Sequence, residues 1–344
     1  MKVYDARKNP FKIYGLYKPK EQGLFKRMPY EVAQKTSERV KLLYTNTAGA
    51  RIRFKTDSSK IMVRAVYPQM EFSSPKTAAL SAPGAYSFDL YADNKFCRVL
   101  CPKELVQEGS INQFVVRDEE YESSYEFKER KLREITLYFP TFVNVSDVHI
   151  GIDDDAILLE SSEYINNKPV VFYGSSITQG ACASRSGNTY ENILSRRMNF
   201  DYLNLGFASG AKAEEPIIDY LGTMDMSLLV FDYDHNAKTP QYLAETHYLA
   251  LERFHKAQPH TPIIMMSRPN QCFGEEDSKE RVKIIYASYQ KLLESGAQNV
   301  HFVNGQDIYL SHDSEMMTMD DTHPTDFGFY CIAEALEKVF HLYV

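Results

Sequence analysis

Ser176, Gly210, Asn236, Asp320 and His323 have the side-chain and backbone groups that together would hydrolyse an ester. A hydroxyl becomes a nucleophile when an imidazole takes its proton, a carboxylate orients that imidazole, and hydrogen-bond donors await the charge developing on the carbonyl oxygen. Ser176 supplies the hydroxyl in the turn Gly174-Ser175-Ser176. His323 supplies the imidazole in Asp320-Asp321-Thr322-His323-Pro324, where Asp320 can reach Nδ1 from the same loop. The candidate oxyanion donors are the N–H of Gly210 in N-L-G-F-A-S-G-A and the side-chain amide of Asn236 in F-D-Y-D-H-N-A. Singly, each has an ordinary structural reading as a turn, a helix cap or an Asx turn. In this order, each at the end of an expected element, they point to a serine hydrolase.

The elements that must position these groups are legible in the hydrophobic pattern. Residues 170–173 form a short run with no polar face, broken by Gly174, as a buried parallel strand would be. Similar strands are expected at 202–205, 228–231, 263–266 and 300–303, with helices at 190–198, 215–221, 241–257, 279–293 and 326–339. Strand and helix in alternation specify a doubly wound parallel α/β sheet, which binds ligands at the carboxyl ends of its strands.

The first half has a different texture. Ile52 and Phe54 alternate with Arg51, Arg53 and Lys55, and Ile61, Val63 and Ala65 keep the same period. Further strands are expected at 86–92, 95–101, 113–117, 134–139 and 147–152, giving an antiparallel, jelly-roll-like β-sandwich. The charged stretch 119–133 reads as an exposed excursion whose aromatics pack on the sheet, and Asp153-Asp154-Asp155 as a solvated turn, since it lacks the spaced ligands and glycine of a calcium loop. The expected domains are 1–160, the sandwich, and 161–344, the α/β hydrolase.

Composition narrows the function classes. The chain has 344 residues, 44% of them hydrophobic, and a net charge of −7 with no basic stripe, which argues against nucleic acid or an anionic membrane as partner. No 18-residue apolar run and no apolar leader core occur, so the chain as given reads as cytoplasmic, a trimmed secreted or periplasmic form looking the same. Five scattered cysteines fit neither a disulfide framework nor a zinc ribbon. Asp232, Asp234 and His235 lack a metal-binding signature, so neither a metal nor a cofactor is expected.

The four blocks around Ser176, Gly210, Asn236 and Asp320/His323 resemble those of the SGNH hydrolase superfamily, also called GDSL esterases. Two departures stand out: Ser175 replaces the aspartate before the nucleophile, and Asp234-His235-Asn236-Ala237 replaces G-x-N-D. The runs T-D-S-S-K-I-M-V-R-A and R-E-I-T-L-Y-F-P-T-F are similar to a bacterial branch with an amino-terminal β-sandwich, which includes carbohydrate acetylesterases. The resemblance implies a Ser176-His323-Asp320 triad, an oxyanion hole from Ser176, Gly210 and Asn236, and removal of a short acyl group, most plausibly acetyl, from a carbohydrate or related small ester. A lipid-directed esterase or thioesterase and a sugar-binding protein of weak activity are the alternatives. Arg185, Asn188, His235 and Arg268 are candidate substrate contacts; for Arg185 and Asn188 fixing their own loop, and for Arg268 a salt bridge, are the competing readings. Cys182 reads as a wall residue.

Overall fold

The computed structural model describes residues 1–68, 80–102, 105–107, 114–116, 120–166, 168–269, 275–310 and 314–344. By its contacts the chain divides into two compact units that interleave in sequence. The first comprises Met1–Arg27, Thr45–Glu163 and Ala183–Gly187; the second comprises Met28–Tyr44, Tyr164–Cys182 and Asn188–Val344. A single cut between residues 160 and 161 does not express this, because the second unit also includes a piece of the amino-terminal half.

In the first unit, one antiparallel sheet has the order Lys2–Asp5, Asp147–Ile152, Lys60–Val66, Glu120–Glu126. The other has the order Leu158–Glu160, Arg51–Thr56, Arg133–Tyr138, Phe88–Ala92, Lys95–Leu100, with Lys12–Tyr14 also pairing to Arg51–Thr56. The excursion expected at 119–133 is an edge strand over Glu120–Glu126. Its charges stand on the exposed positions while Tyr121 turns inward, the Tyr121 hydroxyl donating to the Leu100 carbonyl at 3.2 Å. Arg51 and Arg53, whose alternation suggested a solvent face, are buried instead. Arg53 pairs with Glu134 at 2.7 Å, and Arg51 donates to the Gly49 carbonyl at 2.7 Å. Residues Ala82–Tyr86 form a helical turn, so the strand expected from 86 begins at Phe88. The strand expected at 113–117 is present over Phe114–Val116, its two end residues lying outside the described ones. Asp153, read as part of a solvated turn, accepts the backbone and side-chain donors of Ser59 at 2.8 Å each and so pins the connection between Arg51–Thr56 and Lys60–Val66.

The second unit holds five parallel strands in the order Tyr202–Gly206, Val170–Gly174, Leu228–Asp232, Ile263–Met266, Val300–Val303. Their register sets Gly174 beside both Gly206 and Asp232, so the carboxyl ends of three strands meet at one level. The order reverses direction after the first strand, and such a switch point is where these sheets open a crevice. Helices Tyr190–Met198, Glu215–Thr223, Pro240–Ala257, Glu275–Glu294 and Asp326–Phe340 cover the sheet. The last helix is capped by Thr325 and buries Phe329, Ile332, Ala333, Leu336 and Phe340, a helical stripe whose Phe340 stacks on Phe172 of the first strand. Two short helices that sequence reading missed, Tyr30–Thr36 and Glu38–Leu43, belong to this unit and bury Ala33, Val40 and Leu43. At six and seven residues they are too short to show a repeating apolar period. Among the described residues no helix is long and apolar enough to cross a membrane.

Candidate active site

The strand Val170–Gly174 ends in a one-turn helix, Ser176–Gln179, and this turn presents the hydroxyl of Ser176. Ser175 caps it: its hydroxyl accepts the N–H of Ile177 at 3.1 Å, and its own N–H donates to the Asp232 carbonyl at 3.1 Å. A serine therefore performs the N-capping that an aspartate performs equally well, which accounts for the departure from G-D-S. The turn is compact because Gly174 and Gly206 leave no room for a side chain, a Cβ on either running into Thr178 or Gln179. The N–H of Ser176 is one of the donors that a helix start leaves without an intrahelical acceptor.

His323 reaches this hydroxyl from the loop before the last helix. Its Nε2 lies 2.9 Å from Ser176 Oγ, and its Nδ1 lies 2.8 Å from Asp320 Oδ2 and 3.1 Å from Oδ1. Asp320 Oδ1 also accepts the backbone N–H of His323 at 2.8 Å, so one carboxylate fixes both the ring and the loop that carries it. Partial burial works to raise the Asp320 pKa, but the backbone and ring N–H donors of His323 outweigh it and hold the carboxyl below its usual range. With the ring N–H directed at this carboxylate, Nε2 is the nitrogen left to accept a proton from Ser176.

Asn236 closes the third side. It sits in the 3₁₀ turn Asp234–Asn236 after the strand Leu228–Asp232. Its Oδ1 accepts the N–H of Ser209 at 3.1 Å and its Nδ2 donates to the Phe207 carbonyl at 2.9 Å, which leaves one amide hydrogen uncommitted. The same loop is held from below, where Ala208 N–H donates to Gln179 Oε1 at 2.9 Å. The N–H of Gly210, expected to face an oxyanion, donates instead to the Phe207 carbonyl at 2.9 Å and closes a turn through Ser209 at φ +58. Asp234 stands where the family block has glycine. Its buried carboxylate pairs with Arg281 at 3.0 Å and accepts the N–H of Arg268 at 2.9 Å, anchoring the turn before Asn236.

Comparison with known families decides the class. Residues 167–341 match the model of the GDSL-like lipase/acylhydrolase family, and residues 1–158 match that of the N-terminus of SGNH hydrolase-type esterases. The chain belongs to the GDSL-like lipase/acylhydrolase family. This GDSL-like hydrolase is an ester-hydrolysing enzyme. A Bacteroides ovatus protein described as a GDSL-like lipase is 25% identical, with TM-score 0.83 over 99% of this chain and 98% of that one. The salicylyl-acyltransferase SsfX3 from a tetracycline biosynthetic pathway shares the fold at 18% identity and TM-score 0.76, over 99% and 97% of the two chains. So does the acetyl xylan esterase Est2A from Butyrivibrio proteoclasticus, at 11% identity and TM-score 0.59, over 99% of both. No curated protein matches the chain.

The four candidate substrate contacts of the GDSL-like hydrolase fare differently. The guanidinium of Arg268 is bound to Asp277 and donates to Ser278 Oγ at 3.0 Å, the salt bridge that was its competing reading. Asn188 donates to Asp326 Oδ2 at 2.7 Å, tying its loop to the last helix. Arg185 belongs to the first unit, where it stacks over Phe96 at 3.9 Å and bonds the Tyr91 hydroxyl. His235 lies in the field of His323 and Asp320, but burial and the nearby Arg268 lower its pKa, and its Nε2 is sealed from solvent with no hydrogen-bond partner among the described residues. Burial pushes the Cys182 thiol up to about 12, as suits a wall residue.

Two acids underlie the nucleophile turn: Asp232, weighed in the sequence only as a metal ligand, and Glu191, which the sequence did not single out. Asp232 Oδ2 meets Thr178 Oγ1 at 3.2 Å, and Asn204 Nδ2 donates to Glu191 Oε1 at 3.2 Å. Both carboxyls are fully buried, and burial raises their pKa far above the usual range, so they are neutral acids. Among the described residues no group of three or more His, Cys, Asp or Glu side chains is arranged to hold a metal ion.

Proposed function

We propose that this enzyme is a serine esterase in which Ser176 is the nucleophile, His323 the general base and acid, and Asp320 the residue that orients it. The contact of 2.9 Å between Ser176 Oγ and His323 Nε2, with the carboxylate on Nδ1, carries this reading. His323 Nε2 takes the hydroxyl proton as Oγ attacks the ester carbonyl, and returns it to the departing alkoxide. Water then enters, gives a proton to Nε2 and releases the acid, restoring Ser176. The oxyanion is met by the Ser176 N–H and the uncommitted amide hydrogen of Asn236.

The acyl group we propose is short, as acetyl is, and its alcohol a carbohydrate. The amino-terminal two-sheet unit and the fold likeness to an acetyl xylan esterase support this choice. Fold likeness to a family two carbohydrate esterase from Clostridium thermocellum, solved with cellohexaose, points the same way. Ser176→Ala should abolish hydrolysis of 4-nitrophenyl acetate and labelling by a fluorophosphonate probe; retained turnover by that variant ends the mechanism. A series from acetate to octanoate, with a panel of acetylated saccharides, tests the substrate: rates that rise with chain length would favour a lipid ester.

A further inference from the structure

Arg39 differs from three other arginines of the second unit. Arg197, Arg268 and Arg281 are each held by a carboxylate, from Glu337, Asp277 and Asp234 respectively. Arg39 is half-buried, in the short helix Glu38–Leu43, and meets no carboxylate among the described residues. Burial lowers its pKa, and no charge among the described residues opposes that. In a chain of net charge −7, leaving a half-buried guanidinium uncompensated is a cost that an arriving anion would remove.

Its position gives that cost a purpose. Arg39 Nε donates to the Ala208 carbonyl at 2.9 Å, and a Cβ added at Gly210 would lie 3.2 Å from Arg39 Cγ. This is the loop that Asn236 holds through Ser209 and Gln179 holds through Ala208. With Nε occupied, the two terminal nitrogens remain as a planar fork, the geometry that binds a carboxylate through two parallel hydrogen bonds.

We propose that Arg39 forms an anion subsite beside the Phe207–Gly210 loop and that the preferred ester bears a carboxylate, on either its acyl or its alcohol part. The inference rests on the ester-hydrolase reading, deepens it, and can fail separately from it. The test measures kcat/KM of the parent, Arg39→Met and Arg39→Lys on three esters. These are phenyl acetate, which is neutral; 4-acetoxybenzoate, charged on the alcohol side; and phenyl hemisuccinate, charged on the acyl side. The parent should prefer one charged ester. Arg39→Met should lower the charged-to-neutral ratio of kcat/KM about tenfold or more for that ester, chiefly through KM, with partial recovery in Arg39→Lys. The arm that responds identifies which side carries the charge. A fall shared equally by all three esters would make Arg39 merely a brace for the loop, and would overturn the proposal, as would an unchanged ratio. Benzoate binding to Ser176→Ala by calorimetry reads the subsite without turnover and should be lost in the double variant Ser176→Ala, Arg39→Met. If none of the esters is hydrolysed but benzoate binds through Arg39, the esterase reading fails and the subsite stands. If the esters turn over and neither measurement depends on Arg39, the subsite alone fails.

Discussion

Asp320→Asn is the most searching perturbation of the catalytic proposal, because the two oxygens of this carboxylate have different duties. Oδ1 accepts the backbone N–H of His323 at 2.8 Å, and Oδ2 accepts the ring Nδ1–H at 2.8 Å. An asparagine has one acceptor for two donors. If its oxygen stays on the backbone, its NH₂ faces Nδ1 and forces the ring proton onto Nε2, where it points at Ser176 and cannot accept. If it flips, the NH₂ opposes the backbone N–H and the loop is pushed off its turn. The wrong tautomer in a serine triad costs roughly 10⁴ in kcat. Asp320 is 37% exposed here, so water relieves part of the conflict, and a loss of about 10³, or ~4 kcal/mol in the barrier, is expected. The assay is steady-state hydrolysis of 4-nitrophenyl acetate, with circular dichroism to verify folding. A folded variant within about tenfold of the parent would refute the orienting role of Asp320.

Further outcomes follow from other contacts. Asn236→Asp keeps the acceptor for Ser209 but removes the amide donors, including the one to the Phe207 carbonyl, so kcat should fall about 10²-fold or more with some loss of thermal stability; an unaltered kcat in the folded variant would remove Asn236 from the oxyanion hole. Gly206→Ala has no space against Gln179 and should cost ~1–3 kcal/mol in urea unfolding, with loss of activity beyond that of an exposed control such as Glu294→Ala. Glu191 has a raised folded-state pKa, so the folded protein keeps a proton that the unfolded chain releases. Its contribution is full below the unfolded carboxyl value and declines as pH rises toward the folded one. Glu191→Gln should therefore flatten the fall of stability between about pH 5 and 8, by up to ~1.4 kcal/mol per pH unit, and an unchanged slope would show that this acid is not held neutral.

The parallel sheet was legible because its strands are short, apolar on both faces and separated by helices with clear stripes, as in Phe329 to Phe340. Ser176, His323 and Asp320 were legible because each lies in a linear block at a strand or helix end, where topology decides convergence. What escaped depended on partners distant in sequence. Arg268 reads as a cleft residue until Asp277 is found on it, and the Gly210 N–H reads as available until the carbonyl of Phe207 turns toward it. The strand Glu120–Glu126 was hidden because its charges occupy only the open face of a sheet edge. The departures from the family blocks became intelligible only with contacts in view: Ser175 as a cap, Asp234 as the counter-ion of Arg281.

The borrowing of residues 28–44 by the second unit has a consequence for how the chain is made. On a ribosome this segment emerges early, yet the Ala208 carbonyl that Arg39 grips is 169 residues further on. Ala33, Val40 and Leu43 must wait unburied for most of translation, although the sheets of the first unit on both sides of them close sooner. Such a long-range closure slows folding and exposes apolar surface meanwhile. The second unit thus closes only when residues 28–44 meet partners far along the chain, and a fragment starting at residue 161 would lack the helix bearing Arg39 and the support it gives the loop beneath Asn236.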